Sequence, residues 1–390
     1  MTQMKDSLKD LSESRILIVD DVKANVDVLV EALRGEYRLS VALDGSAALN
    51  SVEKNPPDLV LLDIMMPGLD GYAVCRELRA HEPTREVPVM FLSALEDVRN
   101  KAHGFEVGGN DYLTKPFEPL EVKARVKSLL KAKAYADAIR EAMARDLRTA
   151  REIQMGILPA DLATITKGTG LDVHAIIEPA REIGGDLYEV LRVSENRVVV
   201  ALGDVSGKGI PAALFMAVAV TVFRTLARHL TEPHEILRRL NDELLKQNPK
   251  GMFVTLQCLI FDLEQRRIAC ASMGHHALAV LTPGRPVNRL CGASAPPAGL
   301  MPWDDIVCET VALVPGQTFV LFSDGVTEAM NREDDFYGDP RLATVLGKMS
   351  PTTPADVVTR LLSDVRSFAN GAQQSDDITV LAAHYAPEHA

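Results

Sequence analysis

The sequence predicts two domains joined by a long helix, and the first of them has a doubly wound parallel α/β sheet. Between residues 14 and 132, short apolar runs alternate with amphipathic stretches, which is typical of parallel strands with crossover helices. Residues 118–158 are rich in Ala, Arg, Glu, Lys and Leu, which favour helix. In the rest of the chain, several apolar runs lie beside an aspartate or a glycine-rich turn. With 390 residues and 47% hydrophobic content, the chain is long enough for two cores.

Composition restricts the partners and the compartment. A formal net charge of −12 argues against a general nucleic-acid binder, which needs a basic surface. The opening residues are polar, so we expect no signal peptide, and the apolar run 210–223 is expected to be a buried helix too short to span a membrane. We therefore expect a cytoplasmic protein. Five scattered cysteines without metal-ligand spacing fit reduced thiols there: Cys75, Cys258, Cys270, Cys291 and Cys308.

Polar residues follow the apolar runs of the N-terminal part. The runs lie near residues 15–19, 59–62, 89–92 and 111–115. Amphipathic stretches lie near residues 25–34, 46–54, 72–80 and 98–107. In doubly wound sheets the functional groups gather at the carboxyl ends of the strands. The residues expected at those ends are Asp20, Asp21, Asp63, Ser93 and Lys115.

This set resembles the receiver domain of response regulators over residues 14–132. The resemblance implies that Asp63 accepts a phosphoryl group from a cognate histidine kinase and that Lys115 pairs with the acyl phosphate. It implies that Ser93 and Tyr112 respond to phosphorylation, and that the Lys115–Pro116 bond is cis. It also implies an Mg²⁺ site at Asp20, Asp21, Asp63 and the carbonyl of Met65. The alternative is that the acids are helix caps, but caps do not require a strand-end lysine before a proline.

The connector, residues 133–158, is predicted to be a helical coiled coil. An apolar seam with spacings of three and four starts before it and runs into it: Leu129, Ala132, Ala136, Ile139 and Met143. Two successive steps of four, ending at Leu147, form a stutter. We expect a parallel homodimer. The alternative is a solvated single helix, because alanine is small for a coiled-coil seam.

Four aspartates of the C-terminal part stand beside apolar runs or glycines. Asp204 follows the run 198–202 and precedes Gly207-Lys208-Gly209. The others in similar settings are Asp186, Asp324 and Asp376. Carboxylates at sheet edges suit hard divalent cations. For any one of them, a turn or helix cap is the alternative.

Six short motifs in the same order resemble the bacterial branch of the metal-dependent PPM-type serine/threonine phosphatases, which contains the sporulation and stress-response phosphatases. They are Ala180–Tyr188, Gly203–Gly209, Met252–Thr255, Ala295–Leu300, Ser323–Glu328 and Ser375–Thr379. The resemblance implies an α+β domain over residues 159–386, a β-sandwich flanked by helices.

The resemblance also implies a catalytic centre with two Mn²⁺ or Mg²⁺ ions that activate water for attack on phosphorus. Asp204 would bridge the ions, Asp186 would serve one side, and the Val205 carbonyl would add a ligand. Asp324 and Asp376 would serve the other side. Arg181 would steer the substrate phosphate.

Two departures from the family concern other side chains. Ser206 and Gly207 stand near the place where the animal branch has a histidine, so the general acid has no assigned residue. Ser272-Met273-Gly274-His275 replaces the bacterial Asn-Ala-Gly-His. We expect His275 and His276 to serve turn structure, because the family's ligands are carboxylates.

These features together predict a two-component response regulator whose phosphorylation controls a protein serine/threonine phosphatase. By family analogy, its substrate is an anti-sigma-factor antagonist. The alternative is a non-enzymatic adaptor that binds a sigma factor or its regulator. Retention of four aspartates argues against the adaptor, since their repulsion is costly without metal. A DNA-binding regulator lacks a basic recognition helix.

Overall fold

The structure, a computed structural model, describes residues 11–94, 98–246, 248, 250–349 and 353–386. The chain divides into two compact units, Met1–Arg145 and Asp146–Ala390. Each unit contains hydrophobic cores of its own. The division falls inside one long helix, α5 (Pro119–Ile157).

The N-terminal unit has one sheet of five parallel strands in the order β2-β1-β3-β4-β5. The strands are β1 (Arg15–Val19), β2 (Arg38–Ala42), β3 (Leu59–Asp63), β4 (Val89–Ala94) and β5 (Asp111–Lys115). The predicted doubly wound fold is confirmed. The sequence analysis did not predict β2, because this edge strand is mostly exposed and has no apolar run.

Helices cover both faces of this sheet. They are α1 (Lys23–Leu33), α2 (Gly45–Lys54), α3 (Gly71–Ala80), α4 (Val98–Glu106) and the start of α5. Asp44 and Asp70 start α2 and α3, because each carboxylate accepts a backbone N–H of the first turn at 2.7 Å. Leu29 of α1 and Val126 of α5 enter the core on one face, whereas Val52 of α2 enters the core on the other. Strand β3, buried at all five residues, lies between them.

Helix α5 has 39 residues and contributes to both units. Val122, Val126 and Leu130 of its first turns are buried in the N-terminal core, and Leu129 packs against that core. Beyond this point Ile139 and Met143 of the predicted seam are 56% and 61% exposed. The helix therefore presents an apolar stripe to solvent in the single chain.

The C-terminal unit contains two antiparallel five-stranded sheets, ordered β13-β10-β9-β8-β7 and β12-β11-β14-β15-β6. The first comprises β7 (Leu187–Ser194), β8 (Arg197–Val205), β9 (Val254–Asp262), β10 (Arg267–Met273) and β13 (Cys308–Ala312). The second comprises β6 (Leu171–Glu178), β11 (Leu278–Leu281), β12 (Asn288–Leu290), β14 (Thr318–Phe322) and β15 (Ile378–Tyr385).

The two sheets pack face to face as a sandwich. Phe261 of β9 and Phe319 of β14 meet edge to face with ring centroids 5.4 Å apart. Strand β14 alternates as a two-sided strand must: Phe319 and Leu321 enter the core between the sheets, whereas Val320 and Phe322 face the outer helices. The predicted helix-flanked sandwich is confirmed.

Six helices complete the described part of this unit. They are α6 (Leu162–Thr166), α7 (Ile210–Ala227), α8 (Pro233–Lys246), α9 (Asp324–Thr327), α10 (Gly338–Gly347) and α11 (Pro354–Ala369). Helices α7 and α8 cover the first sheet, and α10 and α11 cover the second.

Helix α7 corrects one expectation. It has 18 residues and is long and apolar enough by length and composition to cross a membrane, so the expectation that this apolar segment is too short to do so was wrong. Phe215 and Phe223 face the core, but Leu214 on the opposite side is 65% exposed. The helix packs on β7 and β8, and it is therefore a core helix with an open apolar side.

Candidate functional site

The carboxyl ends of the N-terminal strands bring three charged groups together. Asp20 follows β1, Asp63 ends β3 and Lys115 ends β5. The ammonium of Lys115 lies 2.8 Å from an oxygen of Asp20 and 2.9 Å from one of Asp63. The carboxylates of Asp20, Asp21 and Asp63 offer ligand atoms within 4.8 Å of one another. This acidic group could hold a divalent cation.

Backbone and side-chain contacts fix these groups. The Val22 N–H and the Asn25 amide donate to Asp20 at 2.9 and 3.0 Å, which orients its carboxylate. Burial raises the pKa of Asp63, and the contact with Lys115 opposes this shift. Burial alone would lower the pKa of Lys115, but the bonds to the two aspartates outweigh it and raise the pKa. The Met65 side chain is 80% exposed beside the site.

Ser93 and Tyr112 are buried behind these charged groups. The Ser93 hydroxyl has no hydrogen-bond partner. The Tyr112 ring packs against Phe91 and Phe105, and its hydroxyl occupies the space that a Cβ on Gly104 would fill. The Lys115–Pro116 bond is cis, as predicted.

In the C-terminal unit, both sheets contribute acids. Asp186 precedes β7 and Asp204 is the last residue but one of β8, both in the first sheet. Asp324 starts α9 after β14, and Asp376 precedes β15, both in the second sheet. The sandwich therefore assembles the group from positions that are far apart in sequence.

Asp186 is the most enclosed of these acids, with 1% of its surface exposed. One carboxylate oxygen accepts a 2.5 Å hydrogen bond from the Thr379 hydroxyl. The other oxygen is buried without a partner. Burial and then the charge of Asp204 raise the pKa of Asp186 well above its ordinary value. A cation would satisfy the orphaned oxygen and relieve this repulsion.

Charge repulsion couples Asp204 to the other acids of the group. Burial and then the charge of Asp324 raise the pKa of Asp204 to about 7. Burial and then the charge of Asp376 raise the pKa of Asp324. The charge of Asp204 thus acts on Asp186, and the charges of Asp324 and Asp376 act on Asp204.

The group is more spread out than the N-terminal one. Among the described residues, the sets of three or more potential ligands within 4.8 Å are Asp20, Asp21 and Asp63, and a separate set of Glu232, His234 and Cys308. The four C-terminal aspartates supply no such set among those residues. Two ions about 3.5–4 Å apart need a wider arrangement of ligands than one ion does.

Asp377 ties the loops around this group together. Its carboxylate accepts the N–H of Ala180 at 2.8 Å and of Gly185 at 2.6 Å. A Cβ on Gly184 would lie 2.1 Å from its carboxylate, and a Cβ on Gly325 would lie 2.0 Å from its carbonyl oxygen. Only glycine fits at both positions, which explains why glycine stands beside the acids.

Comparison with known families assigns both units. The model of the response regulator receiver domain matches residues 16–127. The model of the Stage II sporulation protein E (SpoIIE) family matches residues 194–386. The chain joins a receiver domain to a SpoIIE-family domain. The family resemblances inferred from the motifs are thereby confirmed.

Individual relatives match one domain at a time. The response regulator PleD of Caulobacter vibrioides is 40% identical over 153 residues, which are 39% of this chain and 32% of PleD. The probable transcriptional regulator ycf27 of Guillardia theta is 39% identical over 153 residues, 39% of this chain and 57% of that protein. The chain thus spans about a third to just over half the length of these curated relatives.

Solved structures share the fold of the SpoIIE-family domain. The SiaA-PP2C domain of Pseudomonas aeruginosa has a TM-score of 0.58 and 23% identity, covering 64% of this chain and 99% of its own. The PP2C phosphatase domain of SpoIIE with a fragment of its regulatory domain, from Bacillus subtilis, has a TM-score of 0.50 and 18% identity. The match covers 55% of this chain and 63% of the Bacillus subtilis chain.

In the SpoIIE-family domain, Lys208 contacts a predicted metal ligand. Its ammonium lies 3.0 Å from the Asp376 carboxylate and also donates to the Ser375 carbonyl. The sequence analysis assigned no role to Lys208, although it is the only cation in the Gly203–Gly209 motif. The lysine joins the loop after β8 to the loop before β15.

The remaining predicted site residues lie on the same loops. Arg181 is exposed in the segment between β6 and β7. The Val205 carbonyl closely faces Gly185, where an added Cβ would lie 2.7 Å from the oxygen. The Ser206 hydroxyl accepts the Phe253 N–H at 3.0 Å, so it has a structural bond.

His275 is buried in the SpoIIE-family domain with both ring nitrogens bonded. Nδ1 lies 2.8 Å from the Thr255 hydroxyl, and Nε2 lies 3.1 Å from the Phe322 carbonyl. Because a carbonyl only accepts, Nε2 carries the proton and Nδ1 accepts from Thr255. Burial lowers the pKa of His275 to about 3. The ring therefore connects strands β9 and β14, in line with the expected structural role.

A glutamine at the end of α5 contacts the Asp186 loop. Gln154 is buried, its amide donates to the Gly184 carbonyl at 2.6 Å, and its oxygen accepts the Gly184 N–H at 3.4 Å. Thr379 and Asp377 lie in the Ser375–Thr379 motif and Gln154 lies in the connector, but their roles depend on long-range contacts that spacing does not reveal.

Proposed function

We propose that this chain is a two-component response regulator in which phosphorylation of Asp63 controls a metal-dependent phosphoserine/phosphothreonine phosphatase. The observation that carries the proposal is the buried Asp186 oxygen without a partner, set among acids whose charges raise one another's pKa. Such a group is costly unless a cation binds it.

In this proposal two Mn²⁺ or Mg²⁺ ions bind at the interface of the sheets. Asp204, with Asp186 and the Val205 carbonyl from the first sheet and with Asp324 and Asp376 from the second, would hold them. When bound, the ions supply an activated water and neutralise phosphoryl oxygens. The protein's own contribution is to hold the ligands: Thr379 fixes Asp186 and Lys208 fixes Asp376. Exposed Arg181 binds the substrate phosphate.

In the receiver domain, Asp63 is the phosphoacceptor and a histidine kinase is the donor. Asp20, Asp21, Asp63 and the Met65 carbonyl would hold Mg²⁺, which fits the close carboxylate group. Lys115 pairs with the acyl phosphate. The unpartnered Ser93 hydroxyl is available to bind a phosphoryl oxygen, and buried Tyr112 would respond to its movement.

The domains communicate through residues 133–158, between a receiver domain at 14–132 and a phosphatase domain at 159–386. The exposed stripe with Ile139 and Met143 supports a parallel homodimer through this helix. A change in pairing would reach Gly184, two residues before Asp186, through the hydrogen bonds of Gln154.

The proposed substrate is a phosphorylated anti-sigma-factor antagonist in the cytoplasm, by analogy with the family. The SpoIIE-family match supports the reaction class and leaves the substrate to be identified by experiment.

The test measures phosphate release from a phosphoserine peptide with Mn²⁺. Wild type is compared with Asp204→Asn and with Asp305→Asn, a control at an exposed loop position. We expect activity that requires Mn²⁺, is lost in Asp204→Asn and is kept in the control. If wild type releases no phosphate, with or without Mn²⁺ and with or without Asp63 phosphorylation, the enzyme hypothesis is refuted and the adaptor hypothesis is favoured.

A further inference from the structure

Three side chains with different donor atoms meet at the edge of the SpoIIE-family domain. They are separate from the aspartate group, which consists of Asp186, Asp204, Asp324 and Asp376. Glu232 precedes α8, His234 lies in its first turn, and Cys308 begins β13. One potential ligand atom of each lies within 4.8 Å of the others. All three residues are partly buried.

The fold brings these residues together from segments 74 residues apart in sequence (308 − 234). Helix α8 packs against β9 and β10 through Leu237 and Leu240. Strand β10 pairs with the edge strand β13, with Cys308 opposite Ala271. The beginning of α8 is thereby held beside the beginning of β13.

The His234 ring has an unmet bonding requirement. Its Nδ1 atom is buried and has no hydrogen-bond partner. Leaving a buried polar atom unsatisfied costs about 1–3 kcal/mol. The surrounding fold keeps this nitrogen away from water. A metal ion coordinated at this site would bind the imidazole ring.

We propose that Glu232, His234 and Cys308 bind a zinc-type transition-metal ion. A thiolate, an imidazole and a carboxylate form a donor set that suits Zn²⁺, whereas Mg²⁺ and Mn²⁺ prefer oxygen donors alone. Three protein ligands leave a fourth tetrahedral position for water. The cysteine binds as thiolate, so its proton passes to solvent when the ion binds.

A metal ion at this position would connect α8 to the edge strand β13. It would stabilise the folded domain by mass action, because the three ligands are brought together only in the folded state. The site differs in chemistry from the aspartate group, which contains no sulfur or nitrogen ligand among its predicted residues. The two sites can therefore be told apart by the absorption band that only a thiolate-bound metal ion gives.

The test is a titration of the metal-free full-length chain with Co²⁺ alone, followed by absorption spectroscopy. A thiolate ligand gives a sulfur-to-cobalt charge-transfer band in the near ultraviolet, which carboxylate sites do not give. We expect the band to saturate at one Co²⁺ per chain and to disappear when Zn²⁺ displaces Co²⁺. Cys308→Ser should abolish it.

Further variants separate coordination from loss of folding. His234→Gln and Glu232→Gln should each weaken Co²⁺ binding by at least about 10–100-fold, the loss typical even of groups that only support metal ligands. His229→Gln, at an exposed histidine before α8, is the matched control and should bind as wild type does. Circular dichroism checks that each variant is folded.

Zn²⁺ should also raise the unfolding temperature of Asp204→Asn, in which the aspartate group is impaired, and should not do so once Cys308→Ser is added. The proposal is wrong if wild type gives no charge-transfer band, or if the band survives in folded Cys308→Ser. Equal binding by His234→Gln and His229→Gln would overturn the role of His234.

Discussion

At the scale of single residues, Asp186 depends on one hydroxyl. The Thr379 hydroxyl donates a hydrogen bond of 2.5 Å to one carboxylate oxygen of Asp186, while the other oxygen has no hydrogen-bond partner. Removing the hydroxyl deprives this buried carboxylate of that hydrogen bond, which is costly in an enclosed site. We expect Thr379→Val to raise the Mn²⁺ concentration for half-maximal phosphate release about 10–100-fold.

The conservative variant Thr379→Ser is the matched control for this effect. It keeps the donor and loses only a methyl group, so it should stay within a few-fold of wild type. An equal loss in both variants would assign the effect to packing around buried Thr379 and contradict the hydrogen-bond argument.

His275 gives the SpoIIE-family domain a pH-dependent stability. Its pKa is about 3 in the folded state, against about 6.5 when unfolded. A depressed pKa contributes stability that is present above pH 6.5 and is lost as the pH falls towards 3, because the unfolded state binds the proton first. The loss is about 1.4 kcal/mol for each pH unit within that window.

The measurement is urea unfolding of wild type and His275→Gln between pH 7 and pH 4. Glutamine can accept from Thr255 and donate to Phe322 without titrating, so the free-energy difference between the two proteins should narrow or reverse at low pH. His229→Gln, at an exposed position, should follow the wild-type curve. A constant difference across the range would contradict the assignment.

The positions of the candidate ligands could be predicted from the sequence, because the end of a buried strand is marked by a change from apolar to polar residues. An apolar run followed by Asp63 or Asp204 is visible without coordinates. The partners of these residues are not: Thr379 is 193 residues from Asp186, and Lys208 is 168 residues (376 − 208) from Asp376. The neighbouring sequence does not distinguish this threonine or this lysine from others that make no such contact.

At the scale of elements, the end of α5 is joined to the loop that carries Asp186. Gln154 makes two hydrogen bonds to Gly184, and Arg224 of α7 donates to the Ile157 carbonyl at 2.7 Å. A shift of the last helical turns would therefore move the Gly184–Asp186 segment. This is the physical route by which the connector could control the site.

Replacing Gln154 by methionine tests this route. The variant keeps the length of the side chain but leaves the Gly184 N–H and carbonyl unsatisfied, at a cost of about 1–3 kcal/mol. We expect a higher Mn²⁺ requirement and a smaller response of phosphatase activity to beryllium fluoride, a mimic of Asp63 phosphorylation. Glu152→Met, exposed two residues earlier, is the control. Unchanged metal dependence and response in Gln154→Met would exclude this route.

Strands and helices that are strongly buried could be predicted from the pattern of apolar residues in the sequence. Strand β3 is buried throughout and was evident as an apolar run, whereas edge strand β2 is largely exposed and was not. The same logic explains the correction at α7. Its hydrophobic composition and its length predicted a short buried helix. The helix packs on β7, β8 and α8 and leaves Leu214 exposed, and composition does not say which side a partner will cover.

At the scale of the whole molecule, the chain carries two acidic sites on different sheets. The receiver group is compact, and a lysine neutralises part of its charge. The group of Asp186, Asp204, Asp324 and Asp376 in the SpoIIE-family domain is wider, and its buried acids repel one another. The first arrangement suits a single divalent ion, and the second suits a pair of ions.

The exposed stripe of α5 provides the last prediction. Ile139 and Met143 are more than half exposed in the single chain, at positions where a second helix would bury them. We expect light scattering to give twice the chain mass for wild type. Ile139→Glu combined with Met143→Glu should give a monomer, because paired helices cannot bury like charges without partners.

The monomeric variant should still accept beryllium fluoride at Asp63, but its phosphatase activity should no longer respond. Arg148→Glu, an exposed position off the seam, should remain dimeric and responsive. A wild-type chain that is monomeric with and without beryllium fluoride would refute the dimer. A monomeric double variant that still responds would place the coupling within a single chain, where the hydrogen bonds from Gln154 to Gly184 are sufficient to carry it.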